Sequence, residues 1–240
     1  GGAVDNDLVM EWTTTSDGDS IELSSVINPI IYDYDVDWGD GSSESNVTTN
    51  DKTHTYTTAG TYEVRIKSSS SSFALDMSVS SSANRIKLTK FKNWGNVPMQ
   101  SLRNMFMNAT SMVYEATDYP NLTALNSTTL YKSAEQMFRN CTSMTDLDIS
   151  NWENTDLLTS SNAWKLFLFD CHNLANFNGS NLTCASSCSD FQFFAHDIGI
   201  NVGCNVTMDD CSFTGATNMT KFFQNAKANT TFSVKNWTLN

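Results

Sequence analysis

Three histidines, six cysteines and an aspartate-studded segment are the residues of this 240-residue chain with chemistry to offer. His54 stands in Thr53-His54-Thr55-Tyr56, while His172 and His196 fall at neighbouring repeat positions with no serine or cysteine nucleophile signature around them. Cys171 precedes His172, but adjacent side chains diverge on a helix, so the two do not make a nucleophile and its base. No phosphate loop, dinucleotide fingerprint or metalloprotease motif occurs. No catalytic residue, cofactor or metal ligand is expected, and the protein is expected not to be an enzyme.

Asp33, Asp35, Asp37 and Asp40 raise the question of calcium, because hard cations take carboxylate oxygens. Alternation along a strand spaces the first three by roughly 7 Å on one face, too far for one ion to collect them. A solvated acidic face is therefore expected. Asp17-Gly18-Asp19 lacks the further spaced ligands of a calcium loop.

The cysteines, Cys141, Cys171, Cys184, Cys188, Cys204 and Cys211, leave two readings open. In an oxidising compartment bridges are expected, above all among the four crowded between 184 and 211. Cys141 and Cys171, at equivalent repeat positions, suit instead a ladder of packed free thiols. Zinc is the weaker reading, since Cys-x3-Cys followed by Cys-x6-Cys has part of the usual spacing only. Eleven Asn-x-Ser/Thr triplets are also present, and the glycosylation candidates taken from them are Asn46, Asn121, Asn126, Asn181, Asn205 and Asn218.

What positions these residues is a block that recurs five times: Met105-Phe106-Met107-Asn108-Ala109, Met137-Phe138-Arg139-Asn140-Cys141, Phe167-Leu168-Phe169-Asp170-Cys171, Phe193-Phe194-Ala195-His196-Asp197 and Phe222-Phe223-Gln224-Asn225-Ala226. The starts lie 32, 30, 26 and 29 residues apart, the period of a stacked solenoid. Through the first two blocks the apolar residues Leu102, Met105, Phe106, Ala109, Met112 and Ala134, Met137, Phe138, Cys141, Met144 keep the spacing of a short amphipathic helix. The period then drops to two in Thr145 to Trp152 and again in Thr231 to Trp237, as in half-buried strands. One unit thus reads as short helix, turn, short strand and aromatic.

Residues 1–83 follow another pattern. Tyr32, Tyr34, Val36 and Trp38 alternate with aspartates and run into Gly39-Asp40-Gly41-Ser42, a strand ending in a turn that needs glycine's positive φ. With Leu8 to Trp12, Ile21 to Leu23 and Thr61 to Ile66 this makes a β-sandwich. Ser80-Ser81-Ser82-Ala83 marks its end. The fold class expected is α+β in two domains: a β-sandwich over 1–83, then an α/β solenoid over 84–240.

Met137 to Trp152 resembles the repeat of BspA-like surface proteins, and the resemblance extends over about residues 90–240. Trp38-Gly39-Asp40-Gly41-Ser42, His54-x-Tyr56 and Gly60-x-Tyr62-x-Val64 resemble a polycystic-kidney-disease-type (PKD) immunoglobulin-like domain. The first resemblance implies a leucine-rich-repeat-like solenoid over 84–240 with an extracellular, adhesive role, and the second an immunoglobulin-like spacer or adhesive module over 1–83.

A formal charge of −12 and a pI near 4.4, with no basic patch, argue against nucleic acid and anionic membrane as partners. No apolar run approaches the roughly 20 residues of a membrane helix. The Gly1-Gly2 start shows no signal-peptide core, so a mature exported chain is expected. On the solenoid strands Asp146, Asp148, Asn176, Asn178, Thr231 and Ser233 point outward as a ligand face able to hydrogen-bond sugar hydroxyls. Trp94, Trp152 and Trp237 serve either to stack on sugar rings or, the stronger reading, as core of the coil. The last repeat strand sits at the end of the sequence, and Val234, Trp237 and Leu239 there are expected to drive head-to-tail self-association. The function expected is an extracellular, non-catalytic, self-assembling subunit of a surface fibre or appendage. The alternative is an adhesin or viral receptor-binding module that recognises glycans or a host surface.

Overall fold

The structure, a computed structural model, describes residues 5–25, 32–125 and 131–239. Its strands are β1 (Leu8–Thr14), β2 (Ser20–Leu23), β3 (Tyr34–Asp37), β4 (Ser43–Val47), β5 (Lys52–Thr55), β6 (Gly60–Ile66), β7 (Leu88–Asn93), β8 (Val113–Tyr114), β9 (Asp146–Asp148), β10 (Asn176–Asn178), β11 (Asn205–Thr207), β12 (Ser212–Phe213), β13 (Thr231–Ser233) and β14 (Thr238–Leu239). Among the described residues helix is confined to one turn at Ser82–Arg85 and a 3-10 turn at Thr155–Leu157. The molecule is mostly β and carries a β-solenoid of about six turns.

Alternation builds the N-terminal part as read: Tyr34 and Val36 are buried while Asp35 and Asp37 face outward. A six-stranded sheet runs in the order β4-β3-β6-β1-β7-β8, and the ribbon β2-β5 packs its Ile21 and Leu23 into the same core. The turn after β3 uses positive φ at Gly39 (81°) and Gly41 (92°), and a Cβ on Gly39 would sit 2.6 Å from the Glu63 carbonyl oxygen. β1 pairs with β6 from Leu8↔Ile66 to Thr14↔Gly60, and its other edge pairs antiparallel with β7. Sheet and core therefore run across residue 84 without a break, and β7 passes the sheet on to β8, its parallel neighbour in the next coil.

In the solenoid β9, β10, β11 and β13 stack parallel and in register, aligning Leu147, Phe177, Val206 and Phe232. The helices expected before each strand are not there. Those segments are chains of tight turns in which alternate N–H groups serve different coils. Met137, Arg139 and Cys141 donate to carbonyls three residues back, on Ala134, Gln136 and Phe138. Gln136, Phe138 and Asn140 donate instead to Lys165, Phe167 and Phe169 of the next coil. Gln136 and Asn140 have φ of 57° and 58°, which an α-helix forbids. Successive turns bring residues three and four apart onto one side, so the apolar stripe has helical spacing without a helix.

The left-handed positions also set the true register. Asn108, Asn140, Asp170, Asp197 and Asn225 occupy equivalent places, each with positive φ, a conformation Asn and Asp tolerate best among non-glycine residues. The fourth block therefore begins at Phe194 and not at Phe193. Phe91, Phe106, Phe138, Phe167, Phe194 and Phe222 then form one aromatic column with ring centroids 4.9, 5.4, 5.3, 5.3 and 4.5 Å apart. Such pairs contribute about 0.5–1.5 kcal/mol each beyond the area they bury.

Candidate functional site

The outward positions of the strands are built as the alternation implies. Asp146 and Asp148 are exposed on either side of buried Leu147, with Asn176 and Asn178 flanking Phe177 in the next coil. Stacking then ties the face to itself. Asn176 Nδ2 donates to Asp146 Oδ1 (2.6 Å), Asn205 Nδ2 to Asn176 Oδ1 (3.0 Å) and Thr231 Oγ1 to Asn205 Oδ1 (2.9 Å), a ladder running along all four strands. A second row links Asn178 to Asp148 at 3.3 Å, while Ser233 turns to the Asp209 carboxylate at 2.8 Å. Asn205, read as a glycan acceptor, is a rung of this ladder.

The tryptophans do not serve this face. Trp94 and Trp152 are buried and meet edge to face at 5.8 Å. Trp237 is half-buried, packs 4.9 Å from Phe213, and donates its indole N–H to the Met208 carbonyl. Trp237 is thus mainly a prop of its own coil. The exposed apolar residues of that coil are Phe232, Val234 and Leu239, at 47, 45 and 55% exposure. The alternation of Thr231 to Trp237 makes Phe232 an inward position. Its equivalents Leu147, Phe177 and Val206 are at most 3% exposed, so the same inward position is covered in every coil but the last. With Phe223 and Trp237 it lines an apolar concavity at that end of the solenoid.

The cysteines are not bridged: all six are free and buried. Cys141, Cys171, Cys188 and Cys211 each donate Sγ–H to a carbonyl of the preceding coil, on Phe106, Phe138, Leu158 and Gly179, at 3.0–3.2 Å. The bridge expected among 184 to 211 fails because each thiol fills a small inward position of its own coil. Burial pushes Cys204 up to about 12 and Cys188 and Cys211 to about 11, and raises Cys141, Cys171 and Cys184 as well. They behave as small core residues and carry no argument about compartment.

His54 joins Trp38, Tyr56 and Tyr62 in a packed cluster. Its ring stacks on Trp38 at 4.6 Å, and Tyr56 stacks on Tyr62 at 3.8 Å while donating to the Trp38 carbonyl. His54 Nε2 lies 2.8 Å from Asp40 Oδ2, and Ser42 donates from both its N–H and its hydroxyl to Asp40 Oδ1. Burial works to raise Asp40, but the hydrogen bonds from Ser42 and His54 outweigh it, and its pKa falls to about 2. Asp35 accepts from Asn46 N–H and Ser69, and Asp37 from Gly39 N–H. The carboxylates of Asp35, Asp37 and Asp40 thus each hold a turn or loop.

Of the remaining glycan candidates, Asn121, Asn181 and Asn218 commit Nδ2 to Asn96, Ser150 and Asp190, while Asn46 is exposed in the left-handed region. Asn126 lies outside the described residues.

Stacking also assembles a group that no local spacing announces. Asp170, His196 and Asp197 bring one oxygen or nitrogen each to within 4.8 Å of one another. His196 Nδ1 is 3.1 Å from Asp197 Oδ2, and His172 Nε2 is 3.5 Å from Asp170 Oδ1. No family model, curated protein or solved structure matches the chain.

Proposed function

We propose that this chain is a non-catalytic structural protein of the cell exterior, a subunit that associates head to tail into a surface fibre or appendage. The supporting observation is the coil of β13: among the described residues Phe232 stands exposed at a position buried in the coils beneath it, beside Val234, Leu239 and an edge of β13 that no described strand pairs. An apolar face bordered by free strand N–H and C=O groups fits another coil or strand-bearing surface.

Charge favours a second copy as that surface. Residues 1–83 carry 14 Asp and Glu against 3 Lys and Arg, whereas residues 211–240 carry 3 Lys and no acidic residue. Unlike surfaces attract, and a contact between unlike surfaces is heterologous, so it propagates into a filament unless its rotation closes a ring. The likeness of Met137 to Trp152 to BspA-like repeats and of the Trp38 to Val64 elements to PKD-type domains points to the same location and role.

Light scattering and electron microscopy of the intact chain test the reading. The expected outcome is concentration-dependent growth beyond the monomer, abolished by the pair Phe232→Glu and Val234→Glu with an unchanged circular dichroism spectrum. A chain that stays monomeric at high concentration, or a variant that assembles as well as the parent, defeats it.

A further inference from the structure

The left-handed positions of the turn ribbons stack their side chains along the solenoid. Where both are amides the stack is satisfied: Asn140 Nδ2 donates to Asn108 Oδ1 at 3.0 Å. One coil further on the residue type changes. Asp170 and Asp197 hold the next two places, with φ of 62° and 59°, so the backbone is the same but the N–H donor is gone and two carboxylates adjoin. The chain bonds there are undisturbed: Asp170 N–H donates to the His196 carbonyl and Asp197 N–H to the Gln224 carbonyl.

Beside this acidic pair sits the His196 imidazole, whose Nδ1 lies 3.1 Å from Asp197 Oδ2 without making a hydrogen bond. His196 is 9% exposed, and its Nδ1, like Asp197 Oδ1, is fully enclosed without a hydrogen-bond partner. The imidazole is held in place from two sides, stacked on Phe169 at 5.0 Å with 13° between planes and edge-on to Phe193 at 5.3 Å. A buried ring nitrogen and a buried carboxylate oxygen left unbonded cost free energy unless something meets them.

We propose that Asp170, His196 and Asp197 hold a divalent transition-metal cation of the zinc class, with His172 placed to supply a fourth donor. A cation restores what the lost amide N–H groups provided, a positive partner for the stacked oxygens, and takes the Nδ1 lone pair as well. Two carboxylates with one or two imidazoles suit zinc and its neighbours, whereas calcium and magnesium take oxygen alone. Zinc ligands at about 2.0–2.1 Å stand roughly 3.4 Å apart in a tetrahedron, so donors within 4.8 Å of one another close by at most about 1.4 Å, within reach of side-chain torsions.

The test uses the intact chain, freed of metal with a chelator and dialysed against zinc chloride. About one zinc is expected per chain, with a thermal midpoint raised by roughly 5–10 °C at a hundredfold excess over the dissociation constant. Calcium at the same concentration should leave the midpoint unmoved. The double variant Asp170→Asn and Asp197→Asn restores the amide pairing of Asn108 and Asn140. It should melt in chelator no lower than the parent, yet lose both the bound zinc and the shift. His196→Gln keeps both carboxylates and answers the same question should the double variant not fold. No zinc above the dialysis blank, an equal response to calcium, or full zinc stoichiometry in the variants overturns the proposal.

Discussion

Asp40 shows how one carboxylate ties a sequence motif together. It is held at once by Ser42, two residues on, and by His54 on β5, so the Trp-Gly-Asp-Gly-Ser and His-x-Tyr elements are two halves of one contact. Because its pKa falls to about 2 from an ordinary 3.8, the unfolded chain takes up the proton first as pH drops. Its contribution to stability is complete above pH 4 or so and disappears as pH falls through about 2. Denaturant melts from pH 6 to pH 2 should therefore show Asp40→Asn less stable than the parent at the upper end, with the gap closing toward pH 2. A gap that stays constant over that range would remove the carboxylate's role. At the same scale, the outward residues Asp146, Asn176, Asn205 and Thr231 hydrogen-bond one another, so a ligand on that face competes with rungs already made.

The turn ribbon is the element that defines this solenoid. A helix satisfies its N–H groups internally and meets its neighbours through side chains only, whereas the ribbon sends every second N–H to the next coil and joins the coils by backbone bonds on this side as on the strand side. The two structures respond oppositely to one substitution. Alanine is the best helix former, so Asn140→Ala would stabilise a helix. In the left-handed place, φ 58°, alanine meets its own carbonyl and should cost about 1–2 kcal/mol, with the Asn108 hydrogen bond lost in addition. Urea unfolding gives the sign directly, and a more stable Asn140→Ala chain would return the segment to helix. The column of phenylalanines is indifferent to this choice: Phe138→Ala opens a void between Phe106 and Phe167 and should cost roughly 3–5 kcal/mol in either case.

For the molecule as a whole, β1 decides how the parts cohere. It lies between β6 and β7 in one sheet, and the core continues from Leu8 and Trp12 through Phe91 to Phe222. The β-rich N-terminal part is thus the platform on which the first coil is laid, and removing it would bare an edge of β7. Thermal unfolding followed in the near and far ultraviolet should give coincident single transitions. Two resolved transitions, with the first alone abolished by deleting residues 5–83, would separate the parts. Strand order also explains the exposed end, since β13 pairs on one edge with β11 and Phe232 has no coil above it among the described residues.

What the sequence by itself determined is whatever depends on period and on residue type at one place. Repeats near 30 residues specify a stack, alternation at Asp146-Leu147-Asp148 specifies which side faces out, and Gly39 and Gly41 specify a turn that needs positive φ. Only the tertiary structure decided where each backbone hydrogen bond goes, because apolar spacing of three and four is shared by helices and chained turns. The clue lay at Asn108, Asn140, Asp170, Asp197 and Asn225, whose recurrence asks for the left-handed region once the register is known. Thiols that donate to the preceding coil without bridging, and Asp170 beside Asp197 and His196, arise from juxtaposition across coils, and the exposure of Phe232 from its lack; none has a signature along the chain. Residues in successive coils become neighbours through stacking alone, and local spacing cannot encode that contact.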